Sequence, residues 1–325
     1  MTVDARHAIH SDRPAKTAWQ RGRLLALGSV LVAALLLGHE LVPNRWGNLG
    51  SLVQTFLPWL GLAVPLGILA ALVRRSALAI LVVLLPLVAW IWVFLPQIRP
   101  PEPAPADLTV VQHNASDTNT DVAGTAEVLL AAEPDVVTLT EVSRETAEQY
   151  TRAFGEALPH HETQGTVGVW SRYPLRDATP VDIRPEGVEA TWDRCLRVVI
   201  RREDAAVTLF VAHLPSVRFG SGGFETGLRN ASALQLANAV AAEESEAVLV
   251  AGDLNAVLAD DAIAPLTNLV TAPTTGFELT YPATFPVVQI DHVLARGATV
   301  TETRALPRTP SDHLPILARI DTPSS

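Results

Sequence analysis

Asn114, Glu141, His213, Asp253 with Asn255, Asp291 with His292, and Asp312 with His313 hold equivalent places in the chain: each follows or closes an apolar run. Carboxylates and imidazoles in such places read in two ways. They cap loops, or they line a site, because one edge of a sheet gathers loops from distant parts of a sequence. The chain has 16 Asp and nine His, so chance supplies about half of one Asp-His dipeptide, and two occur. Taken singly, Asp253-Leu254-Asn255 is an Asx turn and Asp312-His313 a capped loop. His292 follows Asp291 on a strand, so it points to the opposite face and is read as structural.

These side chains need strands to position them. "DLTVVQHN" reads as a strand, "TDVAGTAEVLLAAEP" as a helix stopped by Pro134, and "DVVTLTE" as a strand with a polar end. "SRETAEQYTRAFGEAL" is a second helix, "GTVGVWS" a strand, and "CLRVVIRR" with "AVTLFVAH" a strand pair across the turn "EDAA". A long helix over about 225–242 precedes the apolar strand "EAVLVAGDLN", and "PVVQIDHVLA", "ATVTETRAL" and "LPILARI" close the set. The order predicts a mixed α/β domain of sheets covered by helices. His160 and His161 fall in an exposed loop on this reading, and Arg172 and Tyr173 hold a strand-to-turn junction. Cys195 alternates within a strand as a small hydrophobe. As the only cysteine, it excludes an internal disulfide and a thiolate zinc site.

Charge divides the chain. Residues 1–100 carry three acids and nine bases, residues 101–325 carry 31 acids and 15 bases, giving about +6 and −16. The first part is also apolar. Three stretches, about 24–42, 52–73 and 77–95, approach the roughly 20 residues that span a bilayer and are read as transmembrane helices. A signal peptide is the competing reading of the first, although no small-x-small cleavage site follows it. Arg6, Arg13, Lys16, Arg21 and Arg23 before the first stretch, and Arg74 with Arg75 after the second, place those flanks in the cytoplasm and the part of the chain after the third stretch outside. Gln54, Pro58 and Pro65 make the second stretch the alternative re-entrant segment; if it does not cross, that part is cytoplasmic. The domain plan is a cytoplasmic tail over 1–23, membrane helices over 24–95, a proline-rich spacer over 96–106 and a catalytic domain over 107–325.

The segments "VVQHN", "VVTLTE", "GVWSRYPL", "VAHLP", "VAGDLNA", "IDHVLA" and "SDHLPI" resemble, in order and approximate spacing, the endonuclease/exonuclease/phosphatase superfamily. Thr140 before Glu141 and the "QHN" start depart from its usual pattern. The resemblance implies a four-layer α/β sandwich, two packed mixed sheets flanked by helices, here preceded by three transmembrane helices. It also implies phosphoester hydrolysis with Mg²⁺, or Mn²⁺ in its place. Glu141 would be the principal metal ligand, Asn114 would lie beside it, and Asp312 would hold the same ion or its shell. Asp253 would deprotonate the attacking water and Asn255 would hold a non-bridging oxygen. His313, braced by Asp291, and His213 would contact the phosphate.

Three functions compete on this reading. A nuclease needs cationic surface, and residues 107–325 contain no lysine and a large acidic excess; nucleic acid is a poor partner. A catalytically silent receptor would not need the full residue set. The favoured reading is a multi-pass enzyme of the cell membrane with its site outside, acting on a lipid-linked phosphate of the outer leaflet. The three-span layout resembles actinomycete relatives associated with teicoplanin-type glycopeptide resistance.

Overall fold

The computed structural model describes residues 22–98, 104–202, 205–272 and 276–323. Arg6, Arg13, Lys16, Arg21, residues 99–103 of the expected proline spacer and two residues of the "EDAA" turn lie outside them. The helices are α1 (Arg23–Leu37), α2 (Leu49–Thr55), α3 (Ala63–Val73), α4 (Ala77–Val82), α5 (Leu84–Ile98), α6 (Val122–Leu130), α7 (Arg144–Phe154), α8 (Gly227–Ala242) and α9 (Ala264–Thr267). The chain forms two compact units, one of Met1–Gly38 with Pro58–Val93 and one of His39–Leu57 with Phe94–Ser325.

The expectation of three transmembrane helices is not met. One described helix, Ala77–Ile98, combines 22 residues with sufficient apolarity to cross a bilayer. α1 has 15 residues, which at about 1.5 Å per residue falls short of a hydrocarbon core about 30 Å thick. The expected second span is broken: Leu49–Thr55 and Leu57–Val73 meet at 67°. Pro58 disfavours helical backbone at Leu57 and lacks a donor of its own, so the bend has a local cause. The polar residues of α2, which belongs to the second unit, have partners within that unit. Ser51 Oγ donates to Asp260 Oδ1 at 2.8 Å, and the Gln54 amide exchanges hydrogen bonds with Asp261. A hydropathy window over 52–73 averages over Pro58 and the hydrogen-bonding Gln54, which is why the stretch reads as one span.

The second unit is built on two packed mixed sheets. The strands are β1 (Leu108–Asn114), β2 (Val136–Thr140), β3 (His160–Gln164), β4 (Val167–Ser171), β5 (Leu175–Pro180), β6 (Cys195–Arg201), β7 (Ala206–His213), β8 (Arg218–Gly220), β9 (Gly223–Glu225), β10 (Ala247–Asp253), β11 (Asp291–Arg296), β12 (Thr299–Ala305) and β13 (Ile316–Asp321). One sheet runs β12-β13-β1-β2-β4-β3, the other β11-β10-β7-β6-β5, and β8 and β9 form a separate hairpin. The inner faces meet in a core that includes Val110, Val136 and Val169 from the first sheet and Val198, Leu209 and Leu249 from the second. α6 and α7 cover the first sheet through Leu129, Tyr150 and Phe154. α8 and α9 cover the second through Leu236, Val240 and Leu266.

Each central strand buries both faces, which explains the near-continuous apolar runs in β7 and β10. β1 lies parallel to β2, and β7 parallel to β10, so their C-terminal ends, with Asn114, Glu141, His213 and Asp253, open to one side. Gly252 makes the β7–β10 approach possible: a Cβ there would overlap the Ala212 carbonyl oxygen. His160 and His161 are a correction, because they pair with β4 as the start of edge strand β3. Only His161 is exposed; His160 is half-buried. The Arg172 junction has a specific basis, an ion pair to Asp135 at 3.0 Å.

Candidate active site

The site begins where β1 and β2 end. Asn114 is the last residue of β1, and Glu141 follows β2 in the left-handed region, with φ 57°. A non-glycine residue accepts that cost only where the surroundings over-determine it, which is common at functional positions. Asn255 shares the property, with φ 47°, two residues beyond the end of β10. Its backbone N–H donates to Asp253 Oδ1 at 2.9 Å, and one amide proton is taken by the Leu214 carbonyl at 2.9 Å. The second amide proton is left for another acceptor.

One amide joins the two sheets. Asn114 Nδ2 donates to Glu141 Oε1 at 3.1 Å and to Asp253 Oδ2 at 3.0 Å. Its Oδ1 accepts from the Ser116 N–H at 3.1 Å, which fixes the orientation of the amide. Asn114 therefore aligns two carboxylates and does not turn its oxygen toward Glu141. The Ser311 hydroxyl donates to the Asn114 carbonyl at 2.7 Å and accepts from the His313 N–H at 3.0 Å. The loop before β13 is thereby fastened to the end of β1.

The imidazoles converge on the same carboxylate. His313 Nε2 lies 3.8 Å and His213 Nε2 3.7 Å from Asp253 Oδ2. His213 Nε2 is also 3.6 Å from Glu141 Oε1. His313 Nδ1 is 2.8 Å from Asp291 Oδ2, with Asp291 fully buried. Burial opposes charge on His313, but the Asp291 carboxylate outweighs it and raises the ring to about 10. Asp291 is itself held below the usual carboxylate range, since the His313 charge and hydrogen bond outweigh its burial. His213 goes the other way. Burial and then the neighbouring Arg194 guanidinium lower it to about 3, so it is a neutral ring. Arg194 Nη1 donates to His213 Nδ1 at 3.2 Å, which leaves the proton on Nε2, facing the carboxylates. Burial, reinforced by Asp291, pushes Asp253 up to about 7.

Asp253, Asp291 and His313 offer ligand atoms within 4.8 Å of one another. The trio could hold a metal ion, and an ion there would compete with the His313–Asp291 pair at 2.8 Å. The carboxylate suited to a hard cation is Glu141. Its side chain is 29% exposed while Asp253 is at 2%, so it can bind an ion that keeps several waters. Asp312 is exposed, and its side chain makes none of the hydrogen bonds that join the other members among the described residues. Its backbone carbonyl accepts from the Ala283 N–H at 2.6 Å. His292 is buried and bonds the Ala256 carbonyl at 2.9 Å, on the far face from Asp291.

Three contributors escape the strand-end pattern. Gln112 Nε2 donates to Asp291 Oδ1 at 3.3 Å and its Oε1 accepts from the Thr138 hydroxyl at 2.9 Å. Tyr281 packs its ring 4.9 Å from that of His313. Arg194 precedes β6 in a run with no motif of its own. Only Gln112 had a sequence signal, as the departure in "QHN".

Known proteins place this geometry in a family. The profile of the Endonuclease/Exonuclease/phosphatase family matches residues 110–313. The uncharacterized protein YbhP of Escherichia coli is 28% identical over 178 residues, 52% of this chain and 67% of YbhP. Among solved structures, sphingomyelinase C from Streptomyces griseocarneus superposes with TM-score 0.50 at 20% identity, over 66% of this chain and 99% of that one. TDP2 from D. rerio, complexed with a single-strand DNA product, gives TM-score 0.55 at 16% identity over the same shares. A mannosyl-6-phosphatase from Bacteroides thetaiotaomicron gives 0.51 at 16% identity, again over 66% and 99%. At these identities the structural likeness concerns the fold.

Proposed function

The chain belongs to the endonuclease/exonuclease/phosphatase family of metal-dependent phosphoester hydrolases, and from that premise we propose that it hydrolyses a lipid-linked phosphoester at a membrane surface. The observation that carries the chemistry is the convergence on Asp253 Oδ2 of Asn114, His213 and His313 at 3.0, 3.7 and 3.8 Å. Asp253 receives the proton of the attacking water. It is buried, so its affinity for a proton is higher than that of a surface carboxylate, and it is aligned by two donors, the Asn114 amide and the Asn255 N–H. His313, cationic through Asp291, stabilises phosphoryl charge and protonates the leaving oxygen. His213 donates through Nε2 as a neutral ring, and the free amide proton of Asn255 binds a non-bridging oxygen. Glu141 would hold a divalent ion, Mg²⁺ or Mn²⁺, with Asn114 orienting its carboxylate and the exposed Asp312 available to the same ion or its shell. When bound, that ion neutralises phosphoryl charge.

The lipid reading is supported by the apolar helix Ala77–Ile98, which can anchor the chain, and by charge. Residues 101–325 carry 31 acids against 15 bases, a field that opposes a polynucleotide. One fold neighbour is by name a sphingomyelinase C. The test is a side-by-side assay of the full chain with Mg²⁺ or Mn²⁺ on sphingomyelin, polyprenyl pyrophosphate and plasmid DNA. Hydrolysis of a lipid substrate, lost on chelation, is expected. DNA cleavage as the sole activity refutes the lipid reading, and no turnover of any phosphoester refutes the enzyme.

A further inference from the structure

A groove of about 650 Å³ is lined by Trp192, Arg194, Ser216, Arg218, Glu225 and Leu228 among others, and reaches the site through Arg194, the hydrogen-bond partner of His213. That volume is within the range of about 300–1,000 Å³ typical of small-molecule sites. The mechanism above uses none of these residues except Arg194, and that one only through His213.

Two guanidiniums in the groove have no carboxylate within ion-pair distance among the described residues: Arg194 and Arg218. Arg194 is half-buried, lies 5.0 Å above the Trp192 ring and spends one donor on His213. A guanidinium has five N–H donors. Its charge is opposed at a distance by Glu141, Asp253 and Asp117. Those carboxylates attract it without bonding it, so its remaining donors stay available. Arg218 is exposed on β8, opposite Glu225 of β9 in the hairpin register. Glu225 is the one acid lining the groove, and its Oε1 accepts from the Gly222 N–H at 3.3 Å, which ties it to the turn. The first turn of α8, which supplies Leu228, has no acidic residue to set against the arginines.

The hairpin is not a free flap. Phe224 N–H donates to the Gly47 carbonyl at 2.9 Å, and Asn48 Nδ2 donates to the Phe224 carbonyl at 2.7 Å. Arg218 is thus presented from a fixed position, as a recognition residue must be.

A single scissile phosphate does not call for this second pair of cations, since His213, His313, Asn255 and a metal at Glu141 would already serve its oxygens. We propose that the groove is a second anion site, that it takes a second phosphoryl group of the substrate, and that Arg194 bridges the two groups. This rests on the phosphohydrolase reading and narrows its substrate to a pyrophosphate or an organic bisphosphate. Bidentate geometry suits arginine to that ligand better than lysine.

The probes are methylphosphonate and methylenebisphosphonate, titrated calorimetrically into the full chain at fixed free Mn²⁺, with hydrolysis assayed on the same preparation. The bisphosphonate binds at least tenfold tighter to the wild type. In Arg218→Ser and Arg194→Gln that preference falls to about twofold, at unchanged melting temperature, and Arg194→Lys recovers part of it. The variants matter because a bisphosphonate also chelates the metal, a contribution they leave intact. A wild-type preference below twofold, or a tenfold preference that survives Arg218→Ser, overturns the second site. Hydrolysis without that preference refutes the site and leaves the enzyme. An arginine-dependent preference without hydrolysis does the reverse.

Discussion

Asn114 donates one amide to Glu141 and Asp253, 3.1 and 3.0 Å away, and so couples the ends of two sheets whose residues lie 139 positions apart. Glu141, the proposed metal ligand, and Asp253, the proposed base, are aligned by one side chain. Asn114→Ala removes that alignment without opening the core. It is expected to lower kcat for phosphoester hydrolysis by about two orders of magnitude, in line with the loss of a positioned acid–base element. Asn114→Asp keeps the shape but places three carboxylates together, and it is expected to be worse than Asn114→Ala at neutral pH.

The Asp291–His313 pair makes a pH prediction. His313 is raised to about 10 in the folded protein, above its unfolded value of about 6.5. The stability it contributes is therefore fully present below about pH 6.5 and is lost as pH rises through about 10. Asp291→Asn removes the acceptor. It is expected to lower the basic limb of the kcat/KM profile toward the ordinary histidine range, and to abolish that window in urea unfolding measured across pH. A basic limb unmoved by Asp291→Asn contradicts a cationic His313.

Arg229 and Asp260 form an ion pair at 2.6 Å with both side chains at 1% exposure or less, and Ser51 of α2 donates to the other carboxylate oxygen. Breaking a buried pair from one side strands a charge, so Asp260→Ala is expected to destabilise the protein by about 3–5 kcal/mol. Ser51→Ala removes one hydrogen bond to a charged group and is expected to cost about 1–3 kcal/mol. Denaturant unfolding checks both. A Ser51→Ala change without effect would mean that α2 does not fold with the catalytic unit.

Gly252 tests the close approach of β7 and β10. Gly252→Ala forces its methyl group onto the Ala212 carbonyl, with a cost of about 1–3 kcal/mol typical of overpacking. Because Asp253 is the next residue, kcat is expected to fall along with the melting temperature.

The catalytic half was legible because its strands are apolar runs with polar ends, and a parallel core brings such ends to one side. Glu141, Asp253 and His313 announced themselves in that way. Gln112 and Arg194 did not, since a buried glutamine within a strand and an arginine before one look like ordinary strand residues until the opposing sheet is in place. The membrane half misled for the opposite reason. Apolarity is additive along a window, whereas crossing a bilayer requires unbroken helix, and Pro58 and Gln54 break or redirect the second stretch. The orientation of the Asn114 amide was also beyond sequence reading, because it is set by the Ser116 N–H.

The most direct test of the account is the hydrolysis rate of a chromogenic phosphodiester by the full chain and by Asp253→Asn, at saturating Mn²⁺. The substitution keeps the shape and one of the two hydrogen bonds that Asp253 accepts, from the Asn255 N–H and the Asn114 amide, and removes the base. A drop of at least about 10³-fold in kcat with an unchanged melting temperature is the predicted result, within the range for loss of a general base. Turnover by Asp253→Asn within a few-fold of wild type contradicts it.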